Sequence, residues 1–380
     1  MSDNKTYSTK KNQIVKLGDI LEVLTDYHSN GSYKTLKENV TLLEQPNFAI
    51  MIRTTNFEKN DFRKNLIYIN QQAYNFLSKS KVLHQDILIN KIANAGAVYF
   101  MPRLDKPVSL GMNLFLLRIK KNYNKYFIFC ILKYNEKRLR LMAKGTTTKT
   151  ITKDDIKMFQ ILLPPLETQQ KIARTLSILD QKIENNHKIN ELLHNLAYKI
   201  YEHYFKYKPK NAKLEQIIIE NPKSNIMVKN AQKTQDKYPF FTSGDNILSY
   251  PKAIIDGRNC FLNTGGNAGI KFYVGKASYS TDTWCICANE FSDYLYLLLS
   301  SIKNHINQSF FQGTSLKHLQ KNLLKKYPIY MPSVHEIKKF NQIMMPLLTL
   351  ISINTRTSKK LEQIRDFLLP LLLKQQVKPE

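Results

Sequence analysis

The chain has 380 residues, and its 43% hydrophobic content supports two or three domains with real cores rather than a disordered chain. Its 57 lysines and arginines against 30 aspartates and glutamates give a formal net charge of +27, which favours an anionic partner. Nucleic acid is the first candidate, and a membrane surface is less favoured because no basic amphipathic helix stands out. Part of the charge can also reflect an AT-rich genome, in which lysine, asparagine, isoleucine and tyrosine are frequent.

The sequence gives no signal for export or for membrane insertion. It begins with a polar stretch, MSDNKTYSTKKNQ, and no apolar run approaches 18 residues. Its cysteines lack the paired spacing of a metal site, so we expect reduced thiols, no metal, no membrane partner and a cytoplasmic location. The four cysteines are Cys130, Cys260, Cys285 and Cys287.

The first half of the chain predicts a mixed α/β unit after a loose tail. Short apolar runs bounded by polar residues predict three buried strands, and one longer segment has helical character. Pro164 and Pro165 stop the third strand and position the helix that follows. The strands are expected at residues 87–92, 114–119 and 159–163, and the helical segment at residues 123–142.

The helix after Pro165 has the clearest periodicity in the chain. Its apolar residues alternate at spacings of four and three over more than four heptads, which is the a/d pattern of a coiled coil. Asn186 and Asn190 interrupt this seam, where polar residues cost stability but fix the register. The seam consists of Ile172, Leu176, Leu179, Ile183, Asn186, Asn190, Leu193, Ala197, Ile200 and Tyr204.

The second half repeats this plan. An aromatic strand near residue 240 and a glycine-rich turn at residues 263–269 precede a strand at residues 270–274 and a second long helix. Pro346 is expected to kink this helix or delay its start, and Pro370 to mark its fraying end. We expect the two seams to pack together as an antiparallel pair. The second seam consists of Phe340, Met344, Leu347, Ile351, Asn354, Ser358, Leu361, Arg365, Leu368 and Leu372.

An internal repeat relates the two halves. Residues 144–205 align without a gap to residues 312–373, and 12 of these 62 pairs are identical. A second similarity relates residues 16–20 to 213–217 at an offset of 197 instead of 168, so the intervening stretch is 29 residues shorter in the second half. The chain therefore consists of two copies of a unit whose N-terminal part varies and whose C-terminal part is repeated. Such a plan suits one kind of task performed on two different targets.

Two pairs of short polar motifs occur once in each half. Residues 53–56 (RTTN) and 242–246 (TSGDN) each follow an apolar strand and suit bases and phosphates, although ordinary turns have the same composition. Residues 94–96 (NAG) recur at 267–269 in a turn that either cradles phosphate or simply joins two strands.

A third pair of motifs combines glycine, hydroxyls and lysine, at residues 144–149 (KGTTTK) and 312–317 (QGTSLK). Such a segment either binds backbone phosphate or forms the N-capped entry to a short helix, and the two roles are compatible. The candidate DNA-contacting residues in or next to these motifs are Arg53, Thr54, Asn56, Lys91, Asn94, Lys144, Thr146, Lys149, Thr242, Ser243, Asn263, Thr264, Asn267, Lys271, Thr314 and Lys317.

The sequence lacks the signatures of catalysis. There is no GxxxxGK[ST] phosphate-binding loop, no Asn-Pro-Pro-Tyr type methylation motif and no proline followed by aspartate. The eight histidines do not have the spacing of a metal site. We therefore predict no catalytic residues in this chain.

Taken together, these features resemble the specificity subunit of a type I restriction–modification system over nearly the whole chain. The strongest match is residues 162–173 (LLPPLETQQKIA) with residues 179–183 (LDQKI), which are similar to the family's helix motif. The second copy departs from this motif at residues 333–337, so the two halves are not fully equivalent. Further matches lie at residues 17–20, 91–96, 238–244, 265–269 and 365–370.

The resemblance implies an α/β (α+β) fold with two target recognition domains, separated by two long helices in an antiparallel coiled coil with pseudo-two-fold symmetry. Each domain would read one half of a bipartite, asymmetric DNA site, and the helices would set the spacing and bind the methyltransferase subunits. The implied boundaries are a tail at 1–13, recognition domains at 14–163 and 209–331, spacer helices at 164–208 and 332–376, and a tail at 377–380.

The resemblance also implies the partners. They are double-stranded DNA, two methyltransferase subunits and, in a complete system, restriction subunits. S-adenosylmethionine, ATP and Mg²⁺ are expected on those subunits, with adenine-N6 methylation and ATP-dependent cleavage, and no cofactor is expected here. The implied spacer and partner-binding residues are Ile172, Leu176, Leu179, Ile183, Asn186, Leu193, Leu347, Ile351, Asn354 and Leu361.

Three alternatives stay open at the level of sequence. The chain could serve another type of restriction methyltransferase, which neighbouring genes would distinguish. It could be a coiled-coil adaptor without DNA function, which predicts weak DNA binding without salt dependence. A free-standing nuclease would cleave DNA with a divalent metal, but the carboxylate pattern for that chemistry is missing.

Overall fold

The computed structural model describes residues 12–231 and 237–377. The tails predicted at residues 1–13 and 377–380 lie almost wholly outside the described part, so their predicted character stays a prediction. Among the described residues, no helix combines the length and the apolar character needed to cross a membrane.

The chain divides into two compact units. The first contains the described residues up to Gln181 together with those from Glu362 onward. The second is Lys182–Leu361. Each of the two long helices therefore contributes residues to both units.

The first unit is built around two four-stranded sheets. All neighbours are antiparallel in one sheet, whose strands in spatial order are Leu21–Asp26, Leu114–Ile119, Ile87–Asn90 and Val98–Phe100. One pair of neighbours is parallel in the other sheet, whose strands are Tyr68–Ile69, Ala49–Ile52, Val108–Leu110 and Lys81–Val82. A separate antiparallel pair joins Gln13–Lys16 to Gln160–Leu163.

The central strands of this unit are apolar on both faces because both faces are covered. Ile87 and Ile89 belong to one buried cluster, which also includes residues of the helix Lys125–Tyr134. Leu88 points to the opposite face and belongs to the cluster shared with the second sheet. This arrangement explains why Ile87, Leu88 and Ile89 form a continuous apolar run and not an alternating pattern.

Short helices complete the first unit. The α-helices are Leu17–Ile20, Tyr33–Asn39, Thr54–Glu58, Gln71–Phe76, Lys125–Tyr134, Glu136–Met142 and Lys153–Met158, and the 3₁₀ turns are Tyr27–Asn30 and Ser78–Ser80. The helix predicted at residues 123–142 is therefore two consecutive helices. The strands predicted at residues 87–92, 114–119 and 159–163 are confirmed to within two residues at each end.

The second unit repeats the main sheet with the same order and directions. Its strands are Ile219–Glu220, Thr283–Cys287, Arg258–Asn263 and Ile270–Val274. A three-stranded sheet contains Leu248–Tyr250, Tyr238–Phe241 and Ser278–Tyr279, and the last two are parallel neighbours, as in the first unit. Two short antiparallel pairs join Ala212–Lys213 to Pro328–Ile329 and Phe311–Gln312 to His318–Leu319.

The remaining elements of the second unit are short. The α-helices are Val228–Ala231, Ser292–Ser301, Lys303–His305 and Lys321–Lys325. The 3₁₀ turns are Leu214–Gln216 and Asn289–Phe291, and the π-helical turns are Glu202–Lys206 and Ile306–Phe310. The mixed α/β architecture with a duplicated sheet confirms the predicted fold class.

The two long helices are Leu166–Tyr201 and Val334–Leu373. All residues of the two predicted seams are buried or half-buried, so the a/d pattern located the packed side of each helix correctly. Within the second unit the helices run antiparallel, because Asn190 contacts Asn354 at 2.9 Å while the earlier Asn186 contacts the later Ser358 at 3.2 Å.

Of the two effects predicted for Pro346, a delayed start of the helix is wrong and a kink stays a prediction; the helix ends at Leu373, within one turn of Pro370, as expected. The helix begins at Val334, well before Pro346, and continues through it and through Pro370. Ser333 and Glu336 cap its start reciprocally, with the N–H of Ser333 donating to Glu336 Oε2 at 2.9 Å. Buried Met344 and Leu348 flank Pro346, and buried Leu372 and Leu373 follow Pro370. Their packing offsets the hydrogen bond that each proline lacks.

Candidate nucleic-acid interface

The three sequence motifs of the first half lie side by side in the first unit. We call residues 53–58, 90–96 and 144–150 the first face. Thr54 Oγ1 is 3.4 Å from Asn90 Oδ1, which connects the first segment to the second. The N–H of Ile151, next to the third segment, donates to Lys91 O at 3.1 Å.

The second unit assembles its three motifs in the same way. We call residues 242–246, 263–269 and 312–318 the second face. The N–H of Thr264 donates to Ser243 Oγ at 3.1 Å, which connects the first segment to the second. The N–H of Gly266 donates to Lys317 O at 2.9 Å, which connects the second to the third.

The backbone contacts of the two faces are equivalent. Ile92 forms an isolated bridge with Thr150, and Gly265 forms one with His318 in the corresponding place. Asn94-Ala95-Gly96 and Asn267-Ala268-Gly269 occupy the same position after the equivalent strand. The residue before each Asn has a left-handed backbone, with φ of 65° at Ala93 and 78° at Gly266. The repeat seen in the sequence is therefore a repeat of loop geometry.

Asn56 shapes the turn that carries Arg53 and Thr54. Its Oδ1 accepts the N–H of Arg53 at 2.9 Å, and its Nδ2 donates to Asp61 O at 3.2 Å. The residue is buried, so both ends of its amide are occupied within the fold. Arg53 and Thr54 are half-buried at the edge of the face.

Lys91 is held by a carboxylate that the motifs did not predict. Its Nζ lies 2.6 Å from Asp26 Oδ2, and Lys153 Nζ lies 2.8 Å from Asp26 Oδ1. Burial would raise the pKa of Asp26, but the hydrogen bonds from Lys153 and Lys91 outweigh it and hold that pKa well below its usual range. One buried carboxylate thus fixes Lys91 of the first face and the adjacent Lys153.

Asn94 is also engaged within the first unit. Its Oδ1 accepts a hydrogen bond from Arg140, and its Nδ2 donates to Glu58 Oε1 at 3.4 Å. Arg140 is paired in turn with Glu136. The interior of the first face is therefore a connected polar network in which Asn94 has a supporting position.

Asn263 and Lys271 have the equivalent supporting role in the second face. Asn263 Nδ2 donates to Asn267 O at 3.1 Å, and Lys271 Nζ donates to Asn263 Oδ1 at 3.1 Å and to Thr242 O at 2.9 Å. Burial lowers the pKa of Lys271. Gly269 leaves room for this network, because a Cβ there would lie 2.3 Å from Asn263 Nδ2.

The hydroxyls of Ser243 and Thr264 converge on one backbone carbonyl. Thr264 Oγ1 donates to Asp282 O at 2.7 Å, and Ser243 Oγ donates to the same oxygen. Asn267 is exposed next to them, at the tip of the turn. The second face therefore has a fixed base of hydroxyl and amide groups and an exposed rim.

The glycine–hydroxyl–lysine segments are hairpin turns rather than helix entries. Lys144 pairs with Thr150, and Gln312 pairs with His318, so each segment turns back on itself. The first helix after the turn begins at Lys153 and is capped by Thr152. Gly145 and Gly313 permit the turn, because each has positive φ and an added Cβ would meet a carbonyl oxygen at 2.4 Å.

These hairpins carry most of the exposed candidates of both faces. They are Lys144, Thr146 and Lys149 in the first unit and Thr314 and Lys317 in the second. Their hydroxyl and ammonium groups are free to reach an anion beyond the protein surface. Backbone phosphate is a suitable ligand for such groups.

Sequence reasoning missed the residues that support the faces from a distance. Asp26 lies 65 positions from Lys91, and Arg140 lies 46 positions from Asn94. No local spacing connects these pairs, so only the fold reveals them. In the described residues, no group of three or more histidine, cysteine, aspartate or glutamate side chains is arranged to hold a metal ion.

A family model described as "Type I restriction modification DNA specificity domain" matches residues 9–195 and 209–363. The chain belongs to this family. The two matched stretches correspond to the two copies of the repeat, and each contains the three segments of one face. The resemblance stated from the sequence is therefore confirmed at the level of the family.

Curated relatives agree with this assignment. The MjaX type I specificity subunit of Methanocaldococcus jannaschii is 34% identical over 137 residues, which is 35% of this chain and 31% of that protein. The MjaIX specificity subunit of the same archaeon is 24% identical over 279 residues, 62% of this chain and 64% of that protein. The chain thus spans from about a third to less than two thirds of the length of these relatives.

A solved structure supports the fold. The crystal structure of the S subunit of a type I restriction–modification system from M. genitalium matches with a TM-score of 0.62. The match covers 97% of this chain and 97% of that chain at 16% sequence identity. The match therefore shows a shared fold over nearly the whole chain.

Proposed function

We propose that this chain reads a bipartite, asymmetric DNA site and directs the methyltransferase subunits of a type I restriction–modification complex to it. The duplicated face is the observation that carries the proposal. Each unit presents the same three loops with different side chains, so one backbone plan serves two different base sequences. The first face would read one half of the site and the second face the other.

The chemistry of the faces supports this division of roles. The exposed hairpin lysines, Lys144, Lys149 and Lys317, suit phosphate contacts, which supply affinity without sequence preference. The segments at residues 53–55 and 242–246 lie against the central turns, where short polar side chains can reach base edges. Lys91, Asn94, Asn263 and Lys271 would hold these segments in position, since their polar atoms are already engaged within the protein.

The net charge of +27 agrees with a DNA partner. The adaptor alternative needs neither this excess of lysine nor two matched loop clusters. A nuclease would need a metal-binding group of carboxylates, and none is arranged so in the described part of the chain. DNA recognition thus accounts for more of the molecule than either alternative.

The long helices suit a second role as spacer and docking surface. Their seam residues are buried or half-buried within the protein, so a partner must contact other sides of the helices. Ile189, Leu192 and Leu196 follow one another at helical spacing and are 42%, 68% and 48% exposed. We propose that this stripe belongs to the surface that binds a methyltransferase subunit.

The remaining partners and cofactors follow from this function. Two methyltransferase subunits, and restriction subunits in a complete system, would assemble with the chain on double-stranded DNA in the cytoplasm. S-adenosylmethionine, ATP and Mg²⁺ would act on those subunits, and this chain would contribute recognition only. The same faces could serve another type of restriction methyltransferase, which the neighbouring genes would identify.

The test is to co-express the chain with its neighbouring methyltransferase subunit and map the modified adenines across a host genome. A split motif of two short, unlike half-sites with a fixed gap is the expected result. Unmodified DNA in the presence of a stable complex of chain and methyltransferase would contradict the proposal. Failure to form that complex, together with DNA binding that does not depend on salt, would favour the adaptor.

A further inference from the structure

The second face carries one carboxylate among hydroxyl, amide and ammonium groups. Asp245 lies in the loop that follows the strand Tyr238–Phe241 and is exposed. Thr242 fixes this loop from beneath, since its Oγ1 accepts the N–H of Gly244 at 3.1 Å and donates to Asn246 O at 3.4 Å. Because Thr242 is buried, the loop presents Asp245 from a rigid base.

The fold uses the carboxylate of Asp245 only through its charge, which acts to raise the pKa of the nearby Lys271 against the larger, opposite effect of burial. Within residues 12–231 and 237–377, the carboxylate takes part in no hydrogen bond or ion pair. The neighbouring Lys271 directs its ammonium to Thr242 O and Asn263 Oδ1 instead. In the first face, by contrast, Glu58 accepts a hydrogen bond from Asn94 at 3.4 Å.

A free carboxylate on a DNA-reading face is selective in what it can contact. Phosphate oxygens repel it, so it adds nothing to binding along the backbone. It can accept a hydrogen bond from an amino group on a base edge, and the N4 amino group of cytosine in the major groove is its usual partner. Adenine offers a donor beside an acceptor, which an amide matches better than a carboxylate.

We infer that Asp245 selects a cytosine in the half-site read by the second unit. This inference rests on the proposed function and adds to it one base and one contact. Asp245 would then determine specificity, while Thr242 and Lys271 would hold its loop in place.

The first experiment compares wild type with Asp245→Asn and Asp245→Ala, each in the complex with the methyltransferase subunit, by mapping modified adenines. Discrimination in favour of cytosine should fall about tenfold at one position of one half-site, the size expected for one good base contact. The other half-site and the gap should not change. Asp256→Asn is the matched control, because it removes an exposed carboxylate near the opposite end of the strand Arg258–Asn263. It alters the net charge equally and should leave the motif intact.

A second experiment identifies the base group that is read. In a synthetic duplex, inosine replaces the guanine opposite the selected cytosine, which removes the guanine N2 amino group and keeps cytosine N4. Binding of the complex should be unchanged. A loss of affinity with inosine that is absent in Asp245→Asn would place the contact of Asp245 in the minor groove and overturn the inference.

The outcomes separate this inference from the proposed function. A wild-type complex without any split motif would refute the proposed function itself. A split motif that lacks a C·G pair in one half, or that is the same for Asp245→Asn, would overturn only the assignment of Asp245. Equal thermal unfolding of the variants would show that neither result reflects loss of structure.

Discussion

The backbone N–H of Leu319 donates to Thr264 O at 3.0 Å, and Ile151 donates to Lys91 O at 3.1 Å in the equivalent place of the other unit. The bond is the same, but the side chains it positions are a threonine in one unit and a lysine in the other. The two faces, which we propose to read DNA, thus share a backbone plan and differ in chemistry. A change of side chains on one face should therefore leave the other face unaffected.

The exposed hairpin lysines should supply salt-dependent affinity. We expect Lys149→Ala and Lys317→Ala each to reduce the slope of log affinity against log salt by about 0.9, the value for one lost phosphate contact. Fluorescence anisotropy of labelled duplexes over a series of salt concentrations measures this slope. Lys199→Ala, which removes an exposed lysine of the long helix, is the control and should keep the slope. An unchanged slope in both hairpin variants would contradict the assignment of these lysines.

Asp26 should stabilise the first unit in a pH-dependent manner. Asp26→Asn leaves Lys91 and Lys153 without their shared counter-charge, so we expect a loss of about 3 kcal/mol at pH 7. Because the pKa of Asp26 is lowered in the folded state, its contribution is present above the unfolded pKa of about 4 and is lost as the pH falls further. The difference between wild type and variant should therefore shrink below about pH 4.

Urea denaturation followed by circular dichroism at pH 7 and pH 3 tests this expectation. Asp154→Asn on the neighbouring helix is the control, because Asp154 is 89% exposed and its pair with Lys157 spans 3.6 Å. Its effect should be at most about 0.5 kcal/mol. A constant difference between wild type and Asp26→Asn at both pH values would show that the carboxylate acts through packing and not through charge.

Gly269 should be required for the geometry of the second face. In Gly269→Ala the new methyl group would displace Asn263, so we expect a loss of about 1–3 kcal/mol and weaker reading of one half-site. Gly244→Ala on the same face is the control, because its nearest contact would be an ordinary 3.5 Å. Trp284, the single and buried tryptophan of the chain, reports unfolding of this unit by fluorescence.

A double variant distinguishes a local collision from a general effect at Gly269. Asn263→Ala removes the side chain that the new methyl group would meet. We therefore expect Asn263→Ala with Gly269→Ala to be more stable than the sum of the single effects indicates. Strict additivity would mean that the two residues do not interact.

The asparagines of the long helices should lower stability but fix the register in which the helices pair. Asn354 Nδ2 donates to Asn190 Oδ1 at 2.9 Å, so Asn190→Leu alone leaves Asn354 unpaired and should cost about 1–3 kcal/mol. Replacement of both by leucine should restore or exceed wild-type stability, with less strict pairing of the helices. Trp284 fluorescence in urea measures the stability of the single and of the double variant. A double variant as unstable as the single one would argue against a role of this pair in register.

Much of the fold could be predicted because it follows from the periodic spacing of apolar residues along short segments. The strand Leu114–Ile119 and the seams of both helices follow from apolar spacing alone, and the internal repeat predicts two similar units. A delayed start of the helix at Pro346 was predicted wrongly, because burial of Met344 and Leu348 outweighs the loss of one hydrogen bond. The stabilisation that comes from such long-range packing cannot be predicted from a short segment of sequence.

The candidate site could be predicted only in part. The motifs located the three loops of each face, but not which side chains remain exposed. Asn56 and Asn263 look like base-reading amides in the sequence, yet both are buried and bonded within the protein. Their partners come from distant or neighbouring segments whose approach depends on the fold. The sequence does not show that the carboxylate of Asp245 is exposed at the second face, whereas the structure does.

A domain exchange tests the central claim most directly. Residues 209–331 are replaced by the corresponding segment of another member of the family with a known motif, and modified adenines are mapped with the same methyltransferase subunit. The account predicts that one half-site changes to that of the donor, while the other half-site remains. A change in both half-sites, or in neither, would contradict the claim that the two faces read DNA independently.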